Sequence, residues 1–189
     1  MARIEFKNDK TRAFEEAEGS DGRLNVSARS DGRRYYNSRD KKKTFTAVYE
    51  HVDAAAGEYS MYIQNTSKTD ELVISSIGLN TDEAAKIKLW FVTGTAAGGA
   101  TMTPVNTNHG SSNDAEATAR QGTSGSGLSG LSTNGVIDLA FVAAGGHEEF
   151  RLDDTIRLGQ NDAIAIEYEA GTTGDLAGVV YMYFEQKIG

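Results

Sequence analysis

Three histidines, His51, His109 and His147, are the only imidazoles in a chain of 189 residues that has no cysteine. Without cysteine there is neither a disulfide framework nor a thiolate metal site. The densest set of potential ligands or acid/base groups is His147-Glu148-Glu149 with Asp153-Asp154. The helical two-histidine spacing of zincins is absent. On a short strand, alternation sends Glu148 and Phe150 to the opposite side from Glu149 and Arg151, so this run reads as a solvated turn and edge strand. Cupin-type jelly rolls hold a metal through several histidines and a carboxylate on the barrel interior, and three scattered histidines do not supply that set. The expectation is no catalytic residue, no metal and no cofactor.

Gly125-Ser126-Gly127-Leu128-Ser129-Gly130 matches G-x-G-x-x-G formally, with Glu148 and Glu149 about twenty residues on. That fingerprint needs a buried strand before it and a helix after it. Here Ala115 to Ser124 is polar and Leu131 to Gly135 leads into a strand, so dinucleotide binding is not expected. The nucleophile elbow, the Walker A loop and the EF-hand loop are also absent.

The arginines and tyrosines near the N-terminus make a better candidate. Arg29, Arg33, Arg34, Tyr35, Tyr36 and Arg39 lie within eleven residues, and Arg23 precedes them. Arg and Tyr combine large contact area with directed hydrogen bonds and are enriched at interface hot spots. These seven residues are expected at a partner interface. The competing reading is a solvated basic tail whose exposed ion pairs are worth about 0–1 kcal/mol each. Lys41-Lys42-Lys43 reads as a solvated junction.

Charge partition sets that cluster apart. Residues 1–43 hold twelve Lys/Arg and eight Asp/Glu, a net of +4, whereas 44–189 hold seven and nineteen, a net of −12. Residues 1–43 therefore read as an extended basic arm and 44–189 as a body. The body is long enough to bury a core, since a domain of about 150 residues buries roughly 70% of its unfolded surface. An overall charge of −8 argues against nucleic acid as a partner, and an arm of only +4 is a weak phosphate binder. No run of about 18 apolar residues is present, so no membrane span is expected. The N-terminus lacks the apolar stretch of a signal peptide, which predicts synthesis in a cytoplasm.

The elements that must position these residues are mostly strands. Lys43–Asp53 places Phe45, Ala47, Tyr49 and His51 on one face. Tyr59, Met61 and Ile63 alternate in Glu58–Asn65. Further runs cover Leu72–Leu79, Lys86–Thr93, Val136–Val142, Glu149–Leu152, Ala163–Glu169 and Gly178–Glu185. Eight strands of about 4–11 residues, separated by Gly, Asn, Asp and Thr turns, predict an all-β, jelly-roll-like antiparallel β-sandwich behind the extended N-terminal arm. Helix signals are few: a single turn at Asn80–Glu83, and a short helix over Asp9–Glu18 ended by Gly19. Ser20-Asp21-Gly22-Arg23 recurs as Ser30-Asp31-Gly32-Arg33, predicting two tight turns around one extended segment. Residues 94–135 are rich in Gly, Ala, Ser, Thr and Asn, longer than structureless loops usually are. This stretch reads as a long loop: a surface excursion, one ordered against a neighbouring subunit, or an active-site lid.

Segments spread over most of the chain resemble small virion structural proteins of tailed bacteriophages. They are Leu24–Arg29, Arg34–Arg39, Gly57–Tyr62, Trp90–Gly98, His147–Asp154 and Leu158–Ala163. The resemblance implies a capsid decoration, or cement, protein: a nonenzymatic β-sandwich on the virion surface. It implies the major capsid protein as partner, bound through the N-terminal arm, and self-association as a trimer or, alternatively, a dimer. Other readings are a tail, baseplate or host-recognition module, with 94–135 as contact surface, and a cupin-like or carbohydrate-active enzyme.

Overall fold

A computed structural model describes residues 5–7, 14–16, 19–20, 23–24 and 37–186. The chain divides into two compact units, 1–32 and 33–189. In the first, β1 (Glu5–Lys7) pairs antiparallel with β2 (Phe14–Glu16), and β3 (Gly19–Ser20) with β4 (Arg23–Leu24). Ser20 lies opposite Arg23, so the second pair brackets Asp21-Gly22, the first of the two expected turns. The second, at Asp31-Gly32, lies outside the described residues. The helix expected over Asp9–Glu18 is not what forms at Phe14–Glu16, which is strand. A helix of about ten residues is marginal in water, and cross-strand pairing satisfies the same backbone groups.

The second unit is a two-sheet sandwich. Its strands are β5 (Thr44–Ala54), β6 (Glu58–Asn65), β7 (Asp70–Thr81), β8 (Ala85–Thr93), β9 (Ala100–Thr101), β10 (Val105–Asn106), β11 (Ala117–Gln121), β12 (Ser132–Val142), β13 (Gly146–Leu158), β14 (Ala163–Ala170) and β15 (Gly174–Gln186). One sheet runs β10-β5-β15-β7-β13 and the other β12-β8-β14-β6-β11-β9. The eight long strands are those expected from sequence. They pair first with eighth (β5, β15), second with seventh (β6, β14), third with sixth (β7, β13) and fourth with fifth (β8, β12), all antiparallel. Rolling four such nested pairs into two sheets gives the jelly-roll order. Among the described residues no helix is long and apolar enough to cross a membrane.

Alternation supplies the core. Phe45, Ala47 and Tyr49 of β5 face Met61 and Ile63 of β6, Ile87 and Leu89 of β8, and Ile164 and Ile166 of β14 across the sandwich. Phe45 meets Phe184 edge to face, ring centroids 5.7 Å apart. In β7 the inward residues run Leu72, Ile74, then Ile77, Leu79. The skipped step at Ser75-Ser76 coincides with register shifts in both neighbouring strands, which restore the inward face after the irregularity. Asn80–Glu83, expected to start a helical turn, instead ends β7 and turns into β8. In that turn the Asp82 carboxylate accepts the Asp175 amide from β15 at 2.6 Å.

Residues 94–135 build three small strands and a cover. β10 extends one sheet beside β5, while β11 and β9 extend the other beside β6. Between them, Leu128 and Ala96 bury the outer face of the six-stranded sheet, packing on Tyr62, Val92, Ala163 and Ala165. The glycine-rich run Gly125–Gly130 is part of this cover, held by bridges Thr123–Ser126, Tyr59–Leu128 and Ala97–Ser129. No helix follows it.

Candidate functional site

The arm enters the body through a π-helical turn, Asn37–Lys41, immediately before β5. Its root is fixed by an asparagine clasp from β10 and the β10–β11 connection. Asn108 Nδ2 donates to the Ser38 carbonyl at 3.0 Å and Asn106 Nδ2 to the Lys42 carbonyl at 2.8 Å. Asn113 Nδ2 reaches the Lys41 and Lys42 carbonyls at 3.4 and 3.3 Å. Lys43 pairs with the buried Asp70 carboxylate at the start of β7, and its amide donates to the Asn37 carbonyl at 2.9 Å. Lys42 takes a positive φ of 55°, which lets the chain leave the π turn and enter β5. A cleft of about 420 Å³ opens here, lined by Lys43, Phe45, Asp70, Asn113, Asp114 and Glu116 among others.

Of the seven residues expected at a partner interface, Arg23 lies on β4 and Arg39 on the π turn. Arg29, Arg33, Arg34, Tyr35 and Tyr36 lie outside the described residues. The exposed His147 and Glu148 sit on β13, and His147 Nδ1 is 2.8 Å from Asn80 Oδ1 on β7. Glu149 is held by Arg151 on the same strand at 3.0 Å, which keeps its carboxyl below the usual range. Asp153 and Asp154 form a bulge at φ 45° and 61°. Among the described residues, no group of three or more His, Cys, Asp or Glu is placed to hold a metal.

The tightest acid/base geometry centres on His51. Its Nδ1 lies 2.9 Å from Ser60 Oγ and its Nε2 3.6 Å from Glu58 Oε2. The carboxylate–imidazole–hydroxyl order is that of a nucleophile relay. Here, however, His51 and Ser60 are both 0% exposed, so no substrate carbonyl can reach the hydroxyl. A register shift between β14 and β6 falls at Ser60 and turns its side chain inward. Gly122 closes the pocket: a Cβ there would stand 2.6 Å from three ring atoms of His51. Burial lowers the His51 pKa, and the Glu58 carboxylate, the Thr123 backbone and the Asp175 carboxylate oppose that shift without cancelling it. The arrangement is a neutral buried lock between the two sheets. His51 falls on the inward face set by Phe45, Ala47 and Tyr49, so its burial is readable from alternation. Its partners Ser60 and Glu58 are not, because the register shift reverses the local parity.

A second lock lies at the far end of β6. The buried Asn65 donates from Nδ2 to the Asp70 and Leu158 carbonyls at 2.9 and 2.8 Å and accepts the Ser67 amide at 2.9 Å. One side chain thereby ties the ends of β6, β7 and β13. On the outer face of the six-stranded sheet, Lys86 and Lys88 of β8 stand opposite Glu169 and Glu167 of β14. Lys86 and Lys88 each lie 2.7 Å from Glu169, whose pKa they bring down to about 2. Trp90 Nε1 donates to Glu167 at 2.8 Å.

No protein-family model, no curated protein and no solved structure matches this chain.

Proposed function

We propose that this chain is a nonenzymatic structural protein of a tailed-bacteriophage virion that decorates the assembled head shell and stabilises it through the N-terminal arm. The observation that carries the reading is the arm root. A basic segment rich in Arg and Tyr leaves an acidic body at a point fixed by Asn106, Asn108, Asn113 and the Lys43–Asp70 pair. A fixed exit lets the arm add contact area on a neighbouring protein while the sandwich stays folded on its own core. The sealed His51 pocket supports a binding role over a catalytic one. On this reading the partner is the major capsid protein, the arm residues Arg23, Arg29, Arg33, Arg34, Tyr35, Tyr36 and Arg39 face it, and the protein resides on the capsid surface. Binding only the assembled shell stabilises it by mass action, by about 2.7 kcal/mol per site when free protein is at 100 times Kd.

The test is co-sedimentation with phage heads stripped of accessory proteins. The full chain is expected to bind, and a chain starting at Asn37, which keeps the clasp, is expected to fold and not bind. Normal binding by the truncated chain would remove the arm as anchor. Electron microscopy that located the protein on tails or baseplates would replace the head reading with a tail one.

A further inference from the structure

Four strands end the two sheets, and three of them are blunted. β9 and β10 are two residues each. Beyond β10, the open side of β5 is capped by side-chain and loop groups: the Glu50 amide donates to Gln121 Oε1 at 3.1 Å and the Gly125 amide to the Val52 carbonyl at 3.0 Å. β13 is broken by the Asp153-Asp154 bulge and carries Glu148, Glu149, Arg151 and Arg157. Short edges, charges and bulges are the devices that keep sheet edges from pairing.

β12 carries fewer of them, and they are confined to its first half and to Asp138, whose carboxylate accepts the Leu139 amide at 2.7 Å. It runs eleven residues, and among the described residues no strand pairs with its outer side. Register shifts interrupt it between Thr133 and Val136–Asp138, leaving Asp138–Val142 regular. Val136, Leu139 and Phe141, opposite Trp90, Lys88 and Lys86, form an apolar stripe 49%, 39% and 73% exposed. Asp138 is the strand's only ionisable residue, and the adjoining lysines are matched by Glu167 and Glu169. On a body of net charge −12, this is a place where two copies approach without placing a row of like charges together.

We infer that β12 is the self-association edge of this protein and that its occupant is the β12 of a second copy, antiparallel about a two-fold axis. A ring of three or more would need β12 to pair with a different edge of the next copy. The other edges are too short or capped, or, in β13, both bulged and lined with charges. An isologous antiparallel pair uses only the edge that is open, and of the two oligomers implied by the resemblance it selects the dimer. This inference does not depend on the capsid reading.

Sedimentation equilibrium of the full chain over a concentration series tests it, alongside Phe141→Lys, Val136→Lys and a chain starting at Asn37. Both side chains are exposed, so the lysine variants are expected to melt like the wild type. The expected result is a monomer–dimer equilibrium whose association constant falls at least tenfold in each lysine variant and persists in the truncated chain. A monomer at every concentration, a trimer, or lysine variants that associate like the wild type would overturn it. A full chain that stays monomeric while the truncated chain dimerises would make the arm, and not a second copy, the occupant of the edge.

Discussion

At the residue scale, His51 and Asn65 are two of the buried polar side chains of the sandwich. Folding holds His51 neutral, so its folded pKa lies below the ordinary 6.5. The unfolded chain then binds the extra proton as pH falls below that value, and stability is present above it and lost beneath it. Urea unfolding at pH 7.5 and pH 5 is expected to show the loss in the wild type and a smaller slope in His51→Asn. Gly122→Ala pushes a methyl group into the same ring. It is expected to cost about 1–3 kcal/mol, and less in a background where His51 is already Ala, a coupling that a double-mutant cycle measures. Asn65→Asp replaces a donor facing two carbonyls by a buried carboxylate. A loss of about 3–5 kcal/mol is expected at pH 7. Part of it should return in acid, when the protonated carboxyl can donate again.

At the element scale, the segment 94–135 does the work of a third layer. Its small residues bring backbone close to the six-stranded sheet, and Leu128 is the side chain that closes the contact with Tyr62 and Ala165. Leu128→Ala is expected to destabilise by about 2–4 kcal/mol in thermal or urea unfolding. A loss under 0.5 kcal/mol would mean that the cover contributes little to folding. The composition of this segment was readable. Its docking was not, because alternation and turn signals describe a strand's own faces, whereas Leu128 finds its place by contact with strands far away in the chain.

At the scale of the whole molecule, charge separates what the two ends of the chain can do. The clasp holds the arm root on the body with neutral asparagine donors, apart from the Lys43–Asp70 pair. On the proposed reading, the arm's cations act on a partner. Binding of the full chain to heads is expected to weaken as salt rises from 50 to 500 mM, since exposed charge pairs are screened over about 10 Å at 0.1 M. Unfolding of the body is expected to respond far less. Head binding unchanged by salt would point to an apolar anchor instead of the Arg/Tyr cluster.

By itself the sequence determined the eight strands, the inward face of β5 with His51 on it, and the jelly-roll class. Each follows from a period-two pattern and turn chemistry that act locally. It also determined the charge partition, which is a property of composition. The tertiary structure alone decided which edge stays open, where the long small-residue segment lies, and that a histidine, a serine and a glutamate meet in a sealed pocket. Those outcomes depend on register shifts at Ser60, in β7 and in β12, and on contacts between residues far apart in the chain. A one-residue shift reverses every side chain beyond it, and no local pattern announces where it falls.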